Sequence, residues 1–225
     1  MITNESAELG STSVNYTDGA LSFSDVVAND ANDIVAAATS VDNTGLTNAT
    51  VNLTFKHLLS KVMFAITNGS DTYSMKVYNI TFNAQKQGDC AFSNTAAITW
   101  TPEGTASALS FAGTTTNTAA SNTFNSEDHI VIPNQTILDT KDDSDPSNDE
   151  NVITANFKVE FYDAADNKVY ERTYTNVPLA LTGNTKWQPG YLYKYTGTAS
   201  PTTSNIQFSV TMVEGWVTEA PGVSL

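Results

Sequence analysis

The chain has 225 residues, 24 of them acidic and ten basic, for a formal charge of −14. With no basic stripe to override that charge, a nucleic-acid backbone or an anionic membrane surface would repel it. Hydrophobic residues make up 40%, enough for a buried core, and charged residues only 15%, so Thr, Ser and Asn must cover the surface, as in many exported β proteins. The one cysteine, Cys90, rules out an intramolecular disulfide and a cysteine metal site, and its strand-like setting reads as a small buried hydrophobe.

At the N-terminus, Met1–Glu5 lacks the basic and apolar regions of a leader, and no run approaches the roughly 18 apolar residues of a membrane span. The composition favours a mature exported chain whose leader has been removed. Residues 30–39 hold the best helix signal, with a loop or strand as alternatives. Val51, Leu53 and Phe55 alternate with polar neighbours, and Val62, Phe64 and Ile66 do so with shifted parity. Asn68-Gly69 then predicts a tight turn. Tyr73, Met75 and Val77 give way to Tyr78, Ile80 and Phe82 on the opposite parity. One extra residue near Val77, a β-bulge, accounts for that switch.

Short strands are predicted over residues 90–92, 97–101 and 108–111, then a Thr/Asn/Ser/Ala loop over 114–126. His129–Pro133 is apolar, and Pro133 suits a strand end. Residues 139–151 are acidic and exposed. Ala155, Phe157, Val159 and Phe161 face one way and Thr154, Asn156, Lys158 and Glu160 the other, the signature of a half-buried strand. A turn over residues 163–167 leads to a strand over 168–174. Trp187-Gln188-Pro189-Gly190 opens onto Tyr191, Tyr193 and Tyr195, and residues 206–212 form the last strand before Gly215-Trp216.

Many short strands between turn residues predict an all-β sandwich architecture with little helix. A boundary near Asn125, good to about fifteen residues, divides the chain into an N-terminal β-sandwich, residues 1–125, and a C-terminal one, residues 126–225. A single large sandwich is the alternative.

Little in the chain points to chemistry. No nucleophile elbow, phosphate loop or dinucleotide fingerprint is present, and no carboxylate pair is placed for glycoside hydrolysis. The reading is therefore a non-enzyme with no cofactor and no catalytic residues. His57 and His129 lack a third metal ligand, and His57 reads as a structural histidine. Asp143, Asp145 and Asp149 have the oxygen chemistry of a weak calcium site, with a solvated loop as the plainer reading. Trp187, Tyr191, Tyr193 and Tyr195 could stack against a sugar as a carbohydrate-binding strand, or simply fill the core.

Three segments carry a resemblance. Phe55-Lys56-His57-Leu58-Leu59-Ser60-Lys61-Val62, Ile130-Val131-Ile132-Pro133-Asn134-Gln135, and Trp187-Gln188-Pro189-Gly190-Tyr191-Leu192-Tyr193-Lys194-Tyr195 resemble, in that order, elements of the fimbrillin-like pilins and adhesins of Bacteroides-type bacteria. The resemblance implies two tandem transthyretin-like β-sandwich domains and a structural or adhesive pilus subunit. It further implies a place on the outer cell surface, with membrane contact only through a lipid anchor. Partners would be other pilin subunits, joined by β-strand donation, and a host or bacterial surface ligand. The strand-exchange surface would then lie along Leu21, Phe23 and Val26 and along Ile206, Phe208 and Val210.

Overall fold

The computed structural model describes residues 2–4, 13–17, 20–31, 33–37, 54–93, 96–114, 117–139, 150–179, 185–203 and 205–215. Among these there are strands and turns and no helix. In chain order the strands are β1 (Ile2–Asn4), β2 (Ser13–Thr17), β3 (Ala20–Val27), β4 (Ile34–Ala36), β5 (Lys56–His57), β6 (Ser60–Asn68), β7 (Ser74–Val77), β8 (Ile80–Ala84), β9 (Gln87–Ser93) and β10 (Thr99–Glu103). There follow β11 (Ser107–Phe111), β12 (Thr123–Asn125), β13 (His129–Val131), β14 (Leu138–Asp139), β15 (Glu150–Asn151), β16 (Thr154–Tyr162), β17 (Lys168–Pro178), β18 (Tyr191–Ala199) and β19 (Ser209–Glu214). The all-β reading holds. The helix signal near residue 34 is overridden: Ile34–Ala36 is the strand β4, held by pairing with β1 and β5.

One sheet runs β11-β8-β16-β17, with β7 also on β16; a second runs β12-β6-β18-β19, with β13 also on β6. Between them lies the larger core. Phe64 meets Phe111 edge-on at 4.9 Å between ring centroids and stacks on Tyr195 at 5.5 Å, while Phe82 lies 5.8 Å from Trp187. A four-stranded sheet, β10-β9-β3-β2, covers a second core built from Phe23, Val26, Ile34, Leu58, Leu59, Cys90, Phe92, Trp100, Ile130 and Ile132.

The strand patterns explain this partition. In β16 the alternation sends Ala155, Phe157, Val159 and Phe161 inward, and the neighbouring strands β7, β8 and β17 satisfy its backbone on both sides. Val77 opposes Val159 and Thr81 opposes Asn156, so four steps on one strand span three on the other. This is the extra residue that the parity switch predicts. Gly113 packs against it: an added Cβ would run into the Val77 carbonyl oxygen and lie 2.8 Å from the Tyr78 Cα.

The tight turn predicted at Asn68-Gly69 does not close a hairpin. β6 pairs with β18, β12 and β13, and β7 pairs with β16, so the chain crosses between sheets instead of folding back. Asn68 is fully buried, and its amide donates to the Tyr73, Thr118 and Ala119 carbonyls while accepting from the Ser70 N–H. The expected break at residue 125 also fails to separate the sheets. Strands on both sides of it, β6 and β18 or β8 and β16, are neighbours within one sheet, because the larger core draws its apolar faces from both halves of the chain. Ile130 and Ile132 conversely join the smaller core from beyond that point.

Candidate functional site

The two resemblance segments farthest apart in sequence are locked together. β18 runs parallel to β6, with Tyr193 opposite Val62 and Tyr195 opposite Phe64. Ahead of this pairing, Ser60 Oγ donates to the Gln188 carbonyl at 2.6 Å and the Gly190 N–H donates to the Leu59 carbonyl at 2.8 Å. Gly190 sits at φ +81°, a left-handed conformation that glycine adopts without a Cβ penalty. The Trp-x-Pro-Gly turn therefore aims β18 onto β6.

The third segment joins the two cores. Gln135 is 4% exposed; its Oε1 accepts from the Gln85 N–H at 2.7 Å and its Nε2 donates to the Gln85 and Ile132 carbonyls at 2.9 and 2.8 Å. Asn134 donates through its amide to the Trp100 carbonyl, and its backbone N–H donates to the Trp187 carbonyl. Trp100 Nε1 donates to the Leu58 carbonyl at 2.6 Å. The buried side-chain polar groups of this junction thus have partners, as close packing requires.

His57 is structural but pairs with a side chain. Its Nδ1 lies 2.7 Å from Asp33 Oδ2, and His129 Nδ1 pairs with Asp30 Oδ2, whose other oxygen accepts from the Ile130 N–H. Both histidines thus hold the link between β3 and β4. No cluster with metal-ligand geometry occurs among the described residues. The calcium candidates Asp143, Asp145 and Asp149 lie outside them.

Three of the four sugar-platform candidates are interior. Trp187, Tyr193 and Tyr195 are buried, and Trp187 Nε1 donates to the Tyr195 hydroxyl, which donates to the Leu179 carbonyl. Burial pushes the Tyr193 hydroxyl up to about 12, against the Gln188 N–H it accepts, and raises Tyr195 as well. Tyr191 alone is half-buried, at the rim of a cleft of about 810 Å³ that Phe55, Lys56, Ile98, Lys186 and Glu214 also line. The stacking platform is thereby corrected to core packing, because these rings fill the space between the two sheets.

The strand-exchange candidates divide. Phe23 and Val26 are buried beneath the four-stranded sheet and Leu21 packs beside them, on a strand held between β9 and β2. Val210 lies on β19, opposite Tyr195. Ile206 and Phe208 precede that strand, which starts at Ser209 and not at residue 206. They plug the larger core, where Phe208 meets Phe64, Phe157 and Tyr195.

One feature escaped the sequence reading. Glu160 is on the outward face of β16, yet it is 5% exposed. Tyr78 and Tyr162 each donate a hydroxyl to its Oε2 at 2.5 Å, and Lys158 and Lys168 donate to Oε1 at 2.9 and 3.2 Å. Burial would raise this carboxyl, but the four donors outweigh it and hold it far below the usual range. The bond to Glu160 in turn raises Tyr162 and Lys158. The signal was the alternation Lys158-x-Glu160-x-Tyr162, which puts three groups able to hydrogen-bond one another on one face.

Comparison with known proteins fits this architecture. The fimbrillin-like family matches residues 4–216, and the chain belongs to that family. Membership brings a structural class, association with other pilin subunits and a place at the cell-surface fimbrium. A fimbrial protein from Bacteroides vulgatus is similar in structure at 14% identity, covering 92% of this chain and 72% of its own, with a TM-score of 0.58. A candidate cell adhesion protein from Bacteroides uniformis matches at 16% identity over 90% of this chain and 69% of its own, TM-score 0.44. The C-terminally truncated tip fimbrial protein Mfa3 from Porphyromonas gingivalis matches at 10% identity over 79% and 63%, TM-score 0.37. No curated protein matches the sequence.

Proposed function

We propose that the chain is a structural or adhesive subunit of a bacterial fimbrium that joins its neighbours by strand donation. The observation that carries this reading is the position of β2. Among the described residues it is an edge strand paired with β3 alone, while β3 buries its own Phe23 and Val26 in the smaller core. Loss of β2 would leave a row of unpaired β3 backbone groups along a closed core, and an incoming strand satisfies such an edge by β-augmentation. β19, paired among the described residues with β18 and carrying Val213 at 45% exposure, is another such edge.

The first Lys or Arg is Lys56, so a protease that cuts after Lys or Arg cannot remove β2 without taking β3 as well. The test is therefore a recombinant chain that begins at Ala20, compared with the full chain by size-exclusion chromatography and electron microscopy. Ladders or filaments from the shortened chain alone support strand donation, and their suppression by an added peptide spanning residues 13–19 supports β2 as the displaced strand. A shortened chain that stays monomeric at high concentration sinks the reading.

A further inference from the structure

Three of the chain's ten basic side chains, Lys76, Lys158 and Lys168, share the outer face of the sheet containing β7, β16 and β17. They are fixed in place. Lys76 Nζ sits 4.4 Å from the centre of the Tyr162 ring and Lys158 Nζ 4.2 Å from that of Tyr78, while Glu160 holds Lys158 and Lys168, and Glu171 holds Lys168 at 2.9 Å. Three ammonium groups against the carboxylates of Glu160 and Glu171 leave these five side chains at +1 in a chain of −14, with Asp163 and Asp166 on the turn at the end of the face. Tyr78, 39% exposed, adds an aromatic surface.

The four-stranded sheet is its complement. The sequences of β2, β3, β9 and β10 contain Asp25, Asp89 and Glu103 and no Lys or Arg. Val27 on β3 lies opposite Gln87, on the face that carries Asp89 and Glu103, and is 50% exposed, so this face also presents apolar contact area to solvent.

We propose that the lysine–tyrosine face of one copy docks against the acidic four-stranded sheet of the next. This rests on the fimbrial-subunit reading and extends it to the encounter that precedes strand exchange. The two faces belong to different sheets of the same chain, so the contact is heterologous and repeats head to tail. Charge complementarity steers such an encounter and suppresses wrong pairings. It brings the neighbour to the sheet that carries β2, the strand whose exchange is proposed.

The test is charge reversal with partner rescue on the intact chain. Lys76→Glu is chosen because Lys76 makes none of the four bonds to Glu160, and Glu103→Lys reverses the other face. Sedimentation of the intact wild-type chain at low ionic strength should show self-association that weakens as salt rises toward 0.15 M, where the screening length falls to about 8 Å. Each variant alone should associate about tenfold more weakly, and an equimolar mixture of the two should return to wild-type strength. That recovery also shows both variants folded. Wild type that stays monomeric, single variants that associate as well as wild type, or a mixture that stays weak would overturn the proposal. Strand donation is read separately, on the shortened chain in high salt, so the failure of either idea leaves the other standing.

Discussion

Gln135 illustrates how a polar side chain in a core specifies structure. Two hydrogen bonds from one buried amide tie the segment after β13 to Gln85 in the β8–β9 link, and a third holds the Ile132 carbonyl. Gln135→Leu should cost about 2–3 kcal/mol, because it leaves the Gln85 N–H and carbonyl unsatisfied; urea unfolding checks this, and a loss under about 0.5 kcal/mol would show that the junction relaxes. Cys90 makes a simpler test. Burial pushes its thiol up to about 12, so a thiolate-selective reagent at pH 8 should label it only in denaturant. Glu160 predicts a pH effect. Its carboxyl is depressed in the folded chain, so the stabilisation is complete above the ordinary glutamate range near 4.3 and is lost as pH falls below that. Glu160→Gln should therefore flatten the acid side of the stability–pH curve, and an unchanged acid limb would show that the four donors leave its titration unshifted. Cys90 as a buried hydrophobe was legible from its apolar neighbours. The Gln135 network was not, since Gln85 lies 50 residues away, and that of Glu160 was only partly so: Lys158 and Tyr162 share its face in sequence, but Tyr78 lies 82 residues away and only the fold brings it there.

At the scale of elements, period-two alternation carried the reading furthest. β6 and β16 follow it closely, and the parity switch after Val77 marks the bulge. Gly113→Ala should destabilise by about 2 kcal/mol or more, since the new Cβ meets backbone on both sides of that bulge; a melting temperature within about a degree of wild type would contradict the packing described. The turn signal at Asn68-Gly69 misled because an Asn-Gly pair reports local backbone preference, while the buried Asn68 amide is committed to carbonyls at residues 73, 118 and 119. The tyrosines of β18 were equally ambiguous from sequence. An aromatic stripe on one face suits a core as well as a sugar platform, and only the opposite sheet shows which face is covered.

For the whole molecule, composition and strand pattern were enough for an all-β exported subunit, and the three motifs for its family. The division at residue 125 was not legible, because it rested on a polar stretch, whereas the cores are assembled from interleaved segments: residues 20–36, 58–59 and 87–103 with Ile130 and Ile132 serve one, and residues 62–84, 111 and 153–206 with Val131 and Ile137 the other. That interleaving makes the proposed exchange local. β2 lies on the smaller core, so its departure should leave the larger one intact. The most direct measurement is hydrogen exchange of the β3 amides that face β2 in three samples: the intact chain, the chain beginning at Ala20 held dilute, and the same shortened chain after assembly. Strand donation predicts protection, loss of protection, and protection regained, with the β16 and β18 amides unchanged throughout. Assembly without renewed protection of β3 would contradict strand donation at this edge.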